Sequence, residues 1–190
     1  MIRNFQNLIH RFRTDETGSS TIEFVLWFPL FMSIMLSSVE VGVLMIRQVM
    51  LDRAVEITVR DLRLGTVPNM DAANLGDLHN TLKELICERG TVLGAKCEST
   101  ILLELRVVDQ VTWNPLSVAP TCYDVEADQT ESSLDVGNEN ELMIIRACVR
   151  FDPFFPGTGL VMDLPRHPTT GDYALIATSA FVNEPENADS

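Results

Sequence analysis

The stretch Gly18-Ser19-Ser20-Thr21-Ile22-Glu23 places a carboxylate four residues after the first of three small hydroxyl residues, at the mouth of an apolar run. An ionised acid costs about 2.5–3.5 kcal/mol at the centre of a membrane and less near its surface, so Glu23 needs the headgroup layer or a cationic partner. Glu40, deeper in the same run, has comparable options: the far interface or a contact between subunits. The other reactive side chains are Cys87, Cys97, Cys122 and Cys148, whose pairing the sequence alone does not settle. Local closure favours Cys87 with Cys97 and Cys122 with Cys148, each bridge contributing about 2–4 kcal/mol. Zinc is the alternative, but no C-x-x-C pair is present and His79 offers no ligand spacing.

Catalysis finds little support in the residue pattern. His10 lies in the leading segment, while His79 and His167 stand apart from each other and from any nucleophile motif. No GxGxxG or phosphate-cradling glycine loop occurs. No catalytic, cofactor-binding or metal-binding residue is therefore assigned. Trp113, Tyr123, Phe151, Phe154 and Phe155 read as core or interface anchors, and "FDPFFPGTGL" as an exposed apolar contact patch.

These residues must be positioned by a chain of 190 residues with 46% hydrophobic content, enough for one modest domain and an appendage. A formal charge of −13 argues against nucleic acid, which attracts basic faces. The charge is also divided: Arg3, Arg11 and Arg13 against Asp15 and Glu16 make residues 1–18 +1, leaving −14 beyond them. From Phe24 to Ile46 run 23 residues with Glu40 as the only charge. At about 1.5 Å per residue, such a helix spans a hydrocarbon core of about 30 Å.

Arginines before the span place the N-terminus in the cytoplasm, although Arg47 and Arg53 follow it. The cysteines, all beyond residue 86 in an acidic region, suit an oxidising space and decide for N-in, C-out. A cleaved secretory signal fits poorly, because "SSVEVGVLMI" after Leu36 offers no good small-x-small site and turns apolar again. The spacing of Ile2, Phe5, Leu8, Ile9 and Phe12 among arginines resembles a transit peptide, against which Asp15 and Glu16 count.

Past the membrane, Leu51, Ala54, Val55, Thr58, Val59 and Leu62 recur at helical steps until Gly65 and Pro68, predicting one helix of about 40 residues and about 60 Å. A second helix carries Leu75, Leu78, Leu82, Leu85 and Ile86 on one face, with Asp71 as N-cap and Gly90 as terminator. Ser99–Asp109, Leu142–Asp152 and Tyr173–Val182 read as strands of an antiparallel sheet. The acidic stretch Ala127–Glu141 reads as a long exposed, mobile loop.

Arg11-Phe12-Arg13, Asp15-Glu16, Gly18, Glu23-Phe24, Pro29-Leu30 and Val39-Glu40-Val41-Gly42, with Asn183-Glu184-Pro185 near the other end, resemble the TadE-like pseudopilins of the tight adherence (Tad) pilus system, relatives of type IV pilins. The resemblance covers about 50 N-terminal residues well and about 12 C-terminal residues loosely. Ser19 departs from the aromatic or methionine start of major pilins. The resemblance implies cleavage after Gly18 by a prepilin peptidase, Ser19 as the mature start, and Glu23 as a registry residue meeting a neighbour's new amino terminus. A buried carboxylate and a buried ammonium each carry a large desolvation cost, and pairing offsets both, so such a pair can select register without adding much net stability.

The expected fold class is α+β: a long N-terminal transmembrane helix continuing outside the membrane, packed on a small antiparallel-sheet domain with disulfides. The segments are 1–18 (cytoplasmic leader), 19–46 (transmembrane helix), 47–65 (its continuation) and 66–190 (periplasmic α+β domain). The expected function is that of a minor pilin or pseudopilin of the bacterial inner membrane, associated with the pilus after processing. Its partners would be the prepilin peptidase, other pilins and pseudopilins, inner-membrane assembly proteins and lipid. The runner-up is a single-pass anchor carrying a binding or adhesive domain that never enters a filament; a tethered enzyme comes third.

Overall fold

The computed structural model describes residues 19–68, 75–94, 96–109, 134–135, 137–138, 140–153 and 172–183. Helix α1 (Ser19–Arg63) runs unbroken for 45 residues, through Pro29. Proline removes one donor and crowds the preceding turn, a defect that local backbone adjustment or a neighbouring helix can absorb. The serines in the apolar part turn their hydroxyls back on the helix: Ser33 Oγ donates to the Leu30 carbonyl (2.7 Å), Ser37 Oγ to Ser33 (2.6 Å) and Ser38 Oγ to Met35 (2.8 Å). Self-bonding of this kind lets hydroxyls sit in an apolar setting.

The end of α1 is a Schellman cap. Thr66 N–H donates to the Asp61 carbonyl (3.0 Å) and Gly65 N–H to Leu62 (3.2 Å), with Gly65 at φ +63°. After it, α2 (Leu75–Arg89) folds back on α1. Arg89 at its end binds Asp61 and donates to Thr58 Oγ1 at 3.1 Å, tying the two helices. Gly90 stops α2 without a left-handed conformation (φ −87°); a β-carbon there would lie 2.8 Å from Leu93 Cγ and 3.1 Å from the Ile86 carbonyl. This glycine is required for space, whereas Gly65 is required for its dihedral.

Strands β1 (Ile101–Val107), β2 (Leu142–Phe151) and β3 (Tyr173–Val182) form an antiparallel sheet in the order β1-β2-β3. The second strand ends at Phe151 and the third has the bounds expected. The first starts later than Ser99, because Cys97–Thr100 takes a helical turn, α3. The Ser99 and Thr100 hydroxyls donate to the Lys96 carbonyl (2.8 and 3.0 Å), and Cys97 is bridged to Cys87. Leu134 and Asp135, expected in an exposed loop, instead extend the sheet at β1, with Asp135 N–H donating to Leu105 (2.9 Å).

One sheet face supplies Leu103, Leu105, Ile145, Val149, Leu175 and Phe181 to a core shared with Leu51, Val55 and Leu62 of α1 and Leu78, Leu82 and Ile86 of α2. Burying each large aliphatic contributes about 1.5–3 kcal/mol. The opposite face carries the rung Leu102-Cys148-Ile176 and beside it the cross-strand pair Glu104 and Arg146, 3.6 Å apart. The expected class, α+β with a small antiparallel sheet on a long helix, is the fold observed. Asp71, Cys122 and most of "FDPFFPGTGL" lie outside the described residues.

The two glycines make a paired test by thermal unfolding in detergent. Gly65→Ala should cost about 1 kcal/mol, a fall of about 2–4 °C in Tm, through the left-handed dihedral alone. Gly90→Ala should cost about 1–3 kcal/mol through overpacking against Leu93, and Leu93→Ala should remove that increment.

Candidate functional site: the exposed apolar helix and its acids

Along α1 the surroundings change at residue 37. From Ser20 to Leu36 almost every side chain is exposed, including Phe24, Val25, Leu26, Trp27, Phe31 and Ile34 at 61–70%. Phe24 and Phe28 stack with centroids 5.1 Å apart, and Phe24, Trp27, Phe28, Leu30, Phe31 and Ile34 line a shallow apolar groove. A helix surface apolar on nearly every side from Phe24 to Leu36 is no part of a water-soluble exterior. Helix α1 is long and apolar enough to cross a membrane.

Beyond residue 36 a single stripe turns inward. Ser37, Glu40 and Leu44 are buried, with Glu40 at 2% exposure, and the stripe continues through Leu51, Ala54, Val55, Thr58 and Leu62. Leu44 packs on Tyr173 at the start of β3. Arg47 lies over the Phe151 ring at 4.7 Å, and Gln48 Nε2 donates to the Ile176 carbonyl at 3.0 Å. The hydropathy pattern treats Phe24–Ile46 as one uniform span, but the structure encloses one side of its last third in the chain itself. Glu40 therefore meets protein of its own subunit, an arrangement that neither expectation for it included.

Glu23 stands on the exposed part, one turn into the helix. Ser19 is the first helical residue, and Gly18 lies outside the described residues. The helix thus carries Glu23 beside its own starting turn, on a surface without cover from the domain. A carboxylate so placed is available to a cation outside the chain.

Residues 18–60 match the TadE-like protein family. This helix is TadE-like. The matched span runs from Gly18 through Arg60, taking in Glu23, Glu40 and most of the packed stripe, and links the chain to the Tad pilus system. The α+β domain falls outside it. No curated protein and no solved structure matches the chain. The apolar helix and the match over residues 18–60 together indicate a membrane-anchored protein.

The remaining sequence-selected residues divide. Cys87 and Cys97 form a disulfide that joins the end of α2 to α3 across the Gly90–Gly94 turn. Cys148 is also disulfide-bonded, and Cys122 lies outside the described residues. Asn183, singled out only as part of a terminal motif, pins the entry to β2: its N–H donates to Glu141, its carbonyl accepts from Asn140, and its Nδ2 donates to Gly137 at 3.1 Å. Asn140 holds φ +64° there, so the motif's first residue has a folding role the sequence did not reveal. His167 lies outside the described residues.

His79 is half-buried on α2, and its Nε2 has no hydrogen-bond partner among the described residues. Burial, then the nearby Lys83 charge, lower its pKa from 6.5 to about 4. Burial also lowers Lys83. A neutral, packed imidazole is a structural group. Because the folded pKa lies below the unfolded one, the unfolded chain takes up this proton first; stability from His79 is complete above about pH 6.5 and is lost as pH falls towards 4. His79→Gln should flatten the decline of Tm over that interval relative to wild type, measured in detergent at matched ionic strength; parallel curves would remove His79 as its source.

Proposed function

We propose that the chain is a minor pilin or pseudopilin of a Tad-type pilus, made as an inner-membrane precursor with its N-terminus in the cytoplasm and its α+β domain in the periplasm. The TadE-like match over residues 18–60, on a helix that leaves Glu23 exposed, is the observation that carries this reading. A prepilin peptidase cuts after Gly18, Ser19 becomes the mature N-terminus, and the helix stays in the membrane. Glu23 then faces a neighbour's freed amino group, a pairing that offsets two desolvation costs and selects one axial register between helices. Glu40 makes a second intramembrane contact, within its own subunit, and Cys122 pairs with Cys148. The role is structural, in priming or scaffolding assembly with other pilins, pseudopilins and inner-membrane assembly proteins.

Processing is tested by the N-terminal sequence and intact mass of unreduced protein extracted from native membranes. A chain beginning at Ser19, lighter than its reduced form by the hydrogens lost to both disulfides, supports the reading; a chain beginning at Met1 favours a simple single-pass anchor. Gly18→Leu should leave only the full-length precursor, and continued cleavage at the same bond would count against the peptidase. Glu23→Ala should preserve insertion, or improve it, while abolishing piliation scored by electron microscopy. Normal piliation in that variant would end the registry role.

A further inference from the structure

The change of surroundings at residue 37 bears on how the bilayer and the domain share α1. Phe24 to Leu36 covers about 18 Å along the axis, too short for a hydrocarbon core of about 30 Å, whereas Phe24 to Leu44 covers about 30 Å. Tilting a helix shortens its reach across the bilayer, so it cannot rescue the shorter span. The longer span includes Ser37, Glu40 and Leu44, which are enclosed by the chain. On the other side of the same turns Val39 (46%), Val41 (38%), Met45 (63%) and Ile46 (53%) remain exposed. A bilayer ending at Leu36 would leave these four side chains in water. One reaching Leu44 gives Val39 and Val41 acyl chains and brings Met45 and Ile46 to its boundary, while Glu40 stays covered by protein.

We propose that the domain is seated in the near leaflet rather than above it: between Ser37 and Leu44 the helix meets its own chain on one side and lipid on the other. This rests on reading α1 as a membrane helix. The ends of the sheet strands are placed for such a seat. Tyr173 starts β3 against Leu44, and Phe151 ends β2 under Arg47, three residues further along. Arg47, half-buried at that level, suits the headgroup boundary, where snorkelling cations concentrate. Glu40, about 24 Å along the axis from Phe24, then lies at hydrocarbon depth without touching hydrocarbon. The partner inferred for the Val39, Met45 and Ile46 side is the acyl region of a phospholipid leaflet.

Tryptophan quenching in brominated phosphatidylcholine vesicles, with the full chain at high lipid dilution, tests the seat. Trp113→Phe leaves Trp27 as the membrane reference; adding Trp27→Phe and Met45→Trp moves the reporter to the shared turns. Both reporters should be quenched, and the one at position 45 more by bromines near the headgroup than by bromines deep in the chain. Quenching of Trp27 with none at position 45 overturns the proposal and leaves the membrane helix standing. Quenching of neither overturns both. A reporter placed by Val182→Trp in the same background, at the far end of β3, should stay unquenched; quenching there also overturns the proposal, because it means non-specific adsorption of the domain.

Discussion

A helix that is apolar on every side is stable only where something apolar surrounds it, and α1 meets that demand with different neighbours along a single axis. Its first 17 described side-chain positions, Ser20 to Leu36, receive no cover from the domain. From Ser37 onward a stripe one or two residues wide is taken up by the sheet and α2, culminating in Leu51, Ala54 and Val55 at 0–1% exposure. The domain's central cluster contains the second half of the helix that anchors it, so anchor and domain fold as one object.

This sharing makes the helix a rigid lever. Arg89 ties α2 back to Asp61 and Thr58, β3 runs against α1 with the Ile176 carbonyl held by Gln48, and the Cys87–Cys97 bridge holds the end of α2 to the start of the sheet. The first two connections join elements distant in sequence to the packed half of α1. Displacing the exposed half, by lipid or by a neighbouring helix, must therefore carry the domain with it. In a pilus subunit, a register chosen at Glu23 would set where the whole domain sits.

Much of the fold was legible because its elements follow simple periods. Leu51, Ala54, Val55, Thr58, Val59 and Leu62 recur at helical spacing and all are buried; Leu78, Leu82 and Ile86 do the same on α2. The strand at Tyr173–Val182 was readable to its ends because aromatic and branched residues, Tyr173 and Phe181-Val182, mark both of them. The start of β1 was not, since Ser99 and Thr100 satisfy their hydroxyls on Lys96 in a helical turn next to a disulfide. The sheet contact of Leu134 was also hidden, because a single apolar residue in an acidic stretch has no period to betray it.

Glu23 and Glu40 mark the division most clearly. The sequence by itself determined that both acids lie in one long apolar helix, because hydropathy and helical rise depend only on residue order and composition. It also determined that the helix stops before Gly65 and Pro68, since glycine takes the left-handed cap at least cost and proline cannot continue the helix. Only the tertiary structure decided that Glu23 faces outward while Glu40 is enclosed. Burial depends on which distant strand returns to which turn of the helix, and no local pattern in the chain encodes that return.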